Sequence, residues 1–364
     1  MNESRSSAGS SYMEWAKLRS TARYNLATSG MASLSFAELG ADISELEITG
    51  PGGYGYEPLL RRIASRYRVP PECVVSAIGT SMANYLALAA TTEPGDQILI
   101  EHPTYEPLVS TARYLSLAVA YFGRAAETGF SIDFDDLQRQ ITPRTRVIAI
   151  TNLHNPSGAL CSDTTLQKMI AIARRHGMYV MVDEVYREMR FEASPESAFH
   201  IDPERILVTN SLTKAYGLSG LRCGWVLAPR DVACRMWRIN DLHGVNSVHS
   251  GELLSVVALE RLPQICDQMS SRLQTNRALL RIFLEKRTDL ECFWPEHGTI
   301  VFPRLRRGDS EQLCAFLRAE FEVSVVPGSF FGAPEHFRIG VGGESETVAL
   351  ALDQLNKGIS AFWK

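Results

Sequence analysis

Between Cys73 and Pro229, short runs of apolar and β-branched residues alternate with longer segments whose apolar positions recur at helical spacing. Strands are predicted at residues 74–78, 97–101, 117–122, 147–153, 179–183, 206–210 and 223–228. Helices are predicted between several of them, at 81–92, 105–114, 134–140 and 162–176. Such alternation gives an α/β fold with a mostly parallel sheet whose two faces are covered by helices. After Pro229 the pattern is helical through about Arg287. A smaller mixed segment follows, with strands at 299–302, 323–326 and 337–341 and helices at 310–321 and 344–362. The expected organisation is a large domain over 42–275 and a smaller α+β domain built from 1–41 and 276–364. The 364 residues suit two domains at roughly 150 residues each.

Composition narrows the function classes. Hydrophobic residues make up 45% and charged residues 21%, an ordinary globular balance. The net charge of −4, with no basic block, argues against a nucleic-acid or anionic-membrane partner. Seven scattered cysteines contain no C-x-x-C pair, which fits reduced thiols in a cytoplasm and gives no reason to expect a metal site. Residues 1–11 are Ser-rich and polar, without the apolar core of a signal peptide, and no apolar run approaches the ~20 residues of a membrane span.

In an open parallel sheet, ligands bind beyond the carboxyl ends of the strands, so the residues that follow each strand carry the candidate chemistry. After 74–78 comes Gly79-Thr80-Ser81-Met82-Ala83, a glycine turn opening a helix whose free N–H groups suit an anion. His154-Asn155-Pro156-Ser157-Gly158 follows 147–153, and Asp183-Glu184-Val185-Tyr186 ends the strand at 179–183. A carboxylate ending a buried strand must find a partner or rise in pKa. Asn210-Ser211-Leu212-Thr213-Lys214 follows the next strand, and Lys214 precedes Arg222 by eight residues. A lysine desolvated near another cation has a depressed pKa, so it supplies the neutral amine that a Schiff base requires.

Their order and spacing along one sheet edge resemble the aspartate-aminotransferase superfamily. These are the fold-type-I enzymes that use pyridoxal 5′-phosphate (PLP), and the likeness is to the class I and II aminotransferases in particular. It runs from about Tyr24 to the last helix. The resemblance implies that Lys214 holds PLP as an internal aldimine, a Schiff base, and later moves a proton between substrate Cα and C4′. It implies that Asp183 pairs with the pyridine nitrogen. Asn155 and Tyr186 would meet the ring's 3-hydroxyl oxygen, and Tyr105 would stack on the ring face. The phosphate would lie on the backbone of Thr80, Ser81 and Met82, with Ser211 and Arg222 supplying a hydroxyl and a cation. Near the C-terminus, Pro327-Gly328-Ser329-Phe330-Phe331-Gly332 followed by Phe337-Arg338-Ile339 matches the family's last motif. Arg338 would grip the substrate α-carboxylate, with Asn155, Ser29 and Gly30 beside the substrate.

The implied activity is transfer of an amino group between an α-amino acid and a 2-oxo acid by a ping-pong mechanism, in a homodimer with shared active sites. The alternative on the same fold is β-elimination, as in a C–S lyase, or cyclisation. The stretch Ser219-Gly220-Leu221-Arg222-Cys223-Gly224 is similar to the histidinol-phosphate aminotransferase branch. Two departures stand out. Relatives carry a phosphate-reaching tyrosine where this chain has Gly50, with Tyr54 and Tyr56 as nearby substitutes, and no arginine for a distal carboxylate is identifiable. Trp15, Tyr54, Tyr56 and Phe330 are candidates for an apolar pocket, and residues 12–18 for an arm that crosses to the partner subunit. Ser211 and Lys214 also fit S-x-x-K, but the S-D-N and K-T-G partners of a serine acyl enzyme do not occur. A PLP-holding transcription regulator would need a DNA-binding domain, and some 40 residues before the motifs are too few and insufficiently basic.

Overall fold

The computed structural model describes residues 9–192 and 196–363; residues 1–8, within the polar segment read above, lie outside the described residues. Seven strands build one sheet: β1 (Val74–Ile78), β2 (Gln97–His102), β3 (Ala118–Gly123), β4 (Thr145–Thr151), β5 (Tyr179–Asp183), β6 (Ile206–Ser211) and β7 (Cys223–Leu227). The order across it is β1-β7-β6-β5-β4-β2-β3. All neighbours run parallel except β7, which is antiparallel to both β1 and β6. The mostly parallel, helix-covered sheet expected from the sequence is therefore present, in strands within a few residues of those predicted.

Continuous apolar strands bury both faces of this sheet. Ile98, Val147, Met181 and Leu207 face one core, while Leu99, Ile148, Val180 and Val208 face the other. Each such side chain contributes roughly 1.5–3 kcal/mol when fully buried. The helices that matter for the site are α1 (Ser11–Leu18), α2 (Glu57–Tyr67), α3 (Thr80–Thr91), α4 (Glu106–Tyr114) and α5 (Asp163–Arg175). Ala83, Leu86 and Ala87 of α3 pack on the first face. Leu166, Met169 and Ile170 of α5 pack on the second, and the Ser162 hydroxyl caps α5 by accepting from the Thr165 amide.

A third core joins Leu26 to the C-terminal part of the chain, where Val301, Val323, Ile339 and Leu355 surround it. Here the sequence pattern needs correcting. The strand expected at 323–326 divides: Val323–Ser324 pairs in parallel with Tyr24–Asn25, whereas Val326–Pro327 pairs with Phe337 and Arg338. The strand expected at 299–302 contracts to Ile300–Val301. These short strands take their partners from distant sequence, which periodicity does not report.

Candidate active site

The carboxyl ends of β4, β5 and β6 open into a cavity of about 320 Å³, within the usual size range of cofactor clefts. Lys214 enters it from the turn after β6. Its Nζ donates to Ser29 Oγ at 3.1 Å, and Ser29 Oγ lies 2.7 Å from the Tyr186 hydroxyl. Burial pulls the Lys214 ammonium below its ordinary pKa; Tyr12 and Asp183 oppose that shift, and Arg338 and Arg222 add to it. Burial and the two nearby guanidinium groups thus weaken the hold of this amine on its proton. Tyr186 is shifted upward, chiefly by burial, so it remains a phenol.

Asp183 closes β5 and lines the same cavity. Its Oδ2 accepts from Asn84 Nδ2 at 2.9 Å and its Oδ1 from the Val185 amide at 3.1 Å. Burial pushes its pKa up to about 6, against the pull of those two donors. A carboxylate left part-desolvated in this way is poised for a cationic partner, such as a protonated ring nitrogen.

Around Lys214 and Asp183, the anion end is built by α3. Gly79 starts the helix at φ +78°, a backbone conformation that disfavours side chains. A Cβ there would lie 2.3 Å from Arg222 Nη2, so the glycine leaves room for the guanidinium. Arg222 is fixed by donating to the Ile78 and Ser219 carbonyls, and Thr80 Oγ1 donates to Ser211 Oγ at 2.9 Å. Free first-turn amides, two hydroxyls and a guanidinium converge where a phosphate would sit.

On the opposite wall, Arg338 is fully buried on the strand Phe337–Gly340. Its Nη1 donates to Asn155 Oδ1 at 2.8 Å, and its Nη2 to the Tyr12 hydroxyl at 2.9 Å and the Ala27 carbonyl at 3.0 Å. Arg338 Nε has no hydrogen-bond partner among the described residues, a reserve donor in a fork suited to a carboxylate. Asn155 is held in turn through its own amide, which donates to Thr151 Oγ1. The Thr151 hydroxyl donates to Glu101, whose other oxygen accepts from Arg124 at 2.5 Å. Lysine, acidic ring partner, anion cradle and carboxylate fork together fit PLP and an amino-acid substrate.

Of the sequence-derived residues, Ser29, Thr80, Ser81, Tyr105, Asn155, Asp183, Tyr186, Ser211, Lys214 and Arg222 line this one cavity. Three do not. Met82 turns its side chain into the core beside the sheet, leaving only its backbone amide toward the anion end. Gly30 packs against the Lys214 stem, where a Cβ would stand 3.4 Å from Lys214 Cδ. Arg338 lies behind Asn155 and Tyr12.

The residues that the sequence did not single out include Tyr12, Asn84 and Thr209. A single amide among the mostly apolar buried positions of α3 is the available signal for Asn84. In the segment expected to form an arm, Tyr12 lines its own chain's cavity and packs against Tyr105, Phe330 and Phe331. Trp15 lines the cavity and Phe330 packs on it. Tyr54 and Tyr56 stay outside, against Trp237 and His249.

Comparisons with known proteins bear on the family and the fold. The chain is 29% identical to capreomycidine synthase of Streptomyces vinaceus over 331 residues, covering 88% of this chain and 85% of that one. A solved PLP-dependent aminotransferase from Streptococcus suis superposes with a TM-score of 0.90 at 27% identity, over 97% of this chain and 98% of its own. The PLP-dependent cyclase OrfR superposes with a TM-score of 0.84 at 26% identity, over 96% of both chains. Residues 42–355 match the family of class I and II aminotransferases, and the chain belongs to that family of PLP-dependent transaminases.

Proposed function

We propose that this enzyme transfers an amino group between an α-amino acid and a 2-oxo acid in two half-reactions, with Lys214 as the residue that binds PLP and moves the proton. The observation that carries the reading is Lys214 Nζ, desolvated in the cavity that Asp183 also lines and held by Ser29, which in turn meets Tyr186. Bound PLP supplies an electron sink for the carbanion at substrate Cα. Asp183 holds the ring nitrogen's proton, and Asn155 and Tyr186 hydrogen-bond the ring's oxygen. Lys214 would bind the cofactor's aldehyde carbon and, as a free amine, take the proton from substrate Cα. Arg338 orients the substrate through its α-carboxylate, exchanging the Tyr12 contact for it. Thr80, Ser81, Ser211 and Arg222 would hold the phosphate and so keep the ring in place.

The remaining wall indicates the substrate's side chain. Met13, Trp15, Ala16 and Tyr105 give it apolar and aromatic surface beside the hydroxyls of Ser20, Thr28 and Thr213, and among the described residues the only cations lining the whole cavity are Lys214 and Arg222. That composition suits an uncharged, apolar or aromatic side chain rather than a second carboxylate. We further propose a cytoplasmic homodimer, consistent with the seven unpaired cysteines. A large domain over 42–275 and a small one from 1–41 and 276–364 are part of the same proposal.

Cyclisation is the second reading, favoured by the likeness to OrfR. Both are tested by incubating the PLP-loaded enzyme with a panel of α-amino acids, with and without pyruvate or 2-oxoglutarate. Transamination requires the keto acid, yields a new amino acid in equal amount, and gives parallel double-reciprocal plots. Consumption of an amino acid without any keto acid, with a cyclic product or released ammonia, would replace this reading with the second.

A further inference from the structure

We infer that Asn84, backed by Thr209, is a positioning residue that holds Asp183 as an ionised acceptor for the cofactor's ring nitrogen. The inference rests on the assignment of Asp183 to that nitrogen.

Three buried groups form a one-way chain. Thr209 Oγ1 donates to Asn84 Oδ1 at 2.6 Å, and Asn84 Nδ2 donates to Asp183 Oδ2 at 2.9 Å. Thr209 and Asp183 are register partners on β6 and β5, and Asn84 reaches both from α3 across the end of the sheet. An amide side chain has two faces, and which one meets the carboxyl group depends on its other neighbour. Here that neighbour is a hydroxyl that donates its single proton to Asn84 Oδ1. Turning the amide over would leave that proton stranded in a fully buried site. It would also require Asp183 to donate, which only the protonated acid can do.

Thr209 therefore sets the polarity of Asn84, and Asn84 presents N–H to Asp183. The chain offsets part of what burial does to this carboxyl group. Buried Glu101 acts against it. The result is a carboxylate that is desolvated yet remains an acceptor, the condition a ring-nitrogen partner must meet. Helix α3 thereby serves both ends of the cofactor: its first turn faces the phosphate, and Asn84, one turn further on, governs the group at the ring nitrogen.

The test uses enzyme loaded with ¹⁵N-labelled PLP, reading the ring-nitrogen chemical shift at pH 8 alongside PLP affinity and turnover. Asn84→Leu and Thr209→Val are expected to move the resonance toward the unprotonated position and to lower kcat about tenfold, the loss expected for one donor to a charged group. Thr209→Ser keeps the hydroxyl and is expected to match the wild type, which a purely packing role for Thr209 does not predict. Asp183→Ala serves as the reference for a lost partner. If Asp183→Ala moves the resonance while Asn84→Leu and Thr209→Val leave it in place, the inference is overturned and the role of Asp183 stands. If Asp183→Ala also leaves it in place, the assignment of Asp183 and the inference fall together. Should Asn84→Leu not fold, the near-isosteric Thr209→Val decides alone.

Discussion

Arg338 and Asn155, 183 positions apart in the chain, are joined by a buried hydrogen bond of 2.8 Å. That bond ties the C-terminal antiparallel strands to the large sheet at the cavity wall. Asn155 cannot drift, because Thr151, Glu101 and Arg124 hold it from behind. Arg338 is thus presented on a rigid mount, with the Tyr12 hydroxyl occupying part of its fork.

The first prediction concerns that fork. Arg338→Lys keeps the charge but cannot span Asn155, Tyr12 and Ala27 together. With charge-assisted bonds worth roughly 1.5–3 kcal/mol each, kcat/KM for the amino acid should fall about 100-fold. The absorbance of bound PLP should be unchanged. Steady-state kinetics and a visible spectrum check this; kinetics within twofold of wild type would remove Arg338 from substrate binding.

A second prediction concerns the anion end. Gly79→Ala would place a Cβ 2.3 Å from Arg222 Nη2 at a backbone φ of +78°, so the guanidinium must move. PLP affinity should drop about tenfold, and Arg222→Ala should do the same, consistent with the loss of one charge-assisted contact. Fluorescence titration of the apoprotein with PLP measures both. Unchanged affinity in Arg222→Ala would place the phosphate elsewhere.

Asp183 makes the stability of the apoprotein depend on pH. Its pKa rises from 3.8 to about 6 on folding, through burial. Well below pH 3.8 the group is protonated in both folded and unfolded chains and costs nothing, and stability falls as pH rises from there toward 6. As pH climbs through 6 the unfolded chain is already ionised, so stability is lost, on the order of 2–3 kcal/mol once ionisation is complete. Asp183→Asn should therefore melt a few degrees above wild type at pH 8, with the gap closing at pH 4. Apoprotein melting curves at the two pH values test it, and a variant less stable than wild type at pH 8 would contradict it.

How much of this was legible beforehand depends on how local the signal is. Strands β1 and β5 were read from the sequence to the residue, because strands buried on both faces leave uninterrupted apolar runs. The residues that follow those strands were legible too, since the sheet edge gathers them whatever the loops do. What escaped was set by partners distant in sequence. Nothing near Tyr12 announces that its hydroxyl meets Arg338, and nothing near Val323 announces that it pairs with Tyr24. The motif names Met82 for its backbone, and its side chain packs toward the core, while Gly30 packs against the Lys214 stem. Asn84 was visible as a single amide among mostly apolar buried positions, but its use depends on Thr209, a strand away.

The central claim is that Lys214 carries the cofactor, and borohydride reduction tests it most directly. The PLP-loaded protein should be yellow, lose that band on reduction, and yield on peptide mapping a phosphopyridoxyl group on the peptide containing Lys214. Lys214→Ala treated in the same way should carry none. Label on Lys17, Lys168, Lys286, Lys357 or Lys364 instead, or no label at saturating PLP, would contradict the account.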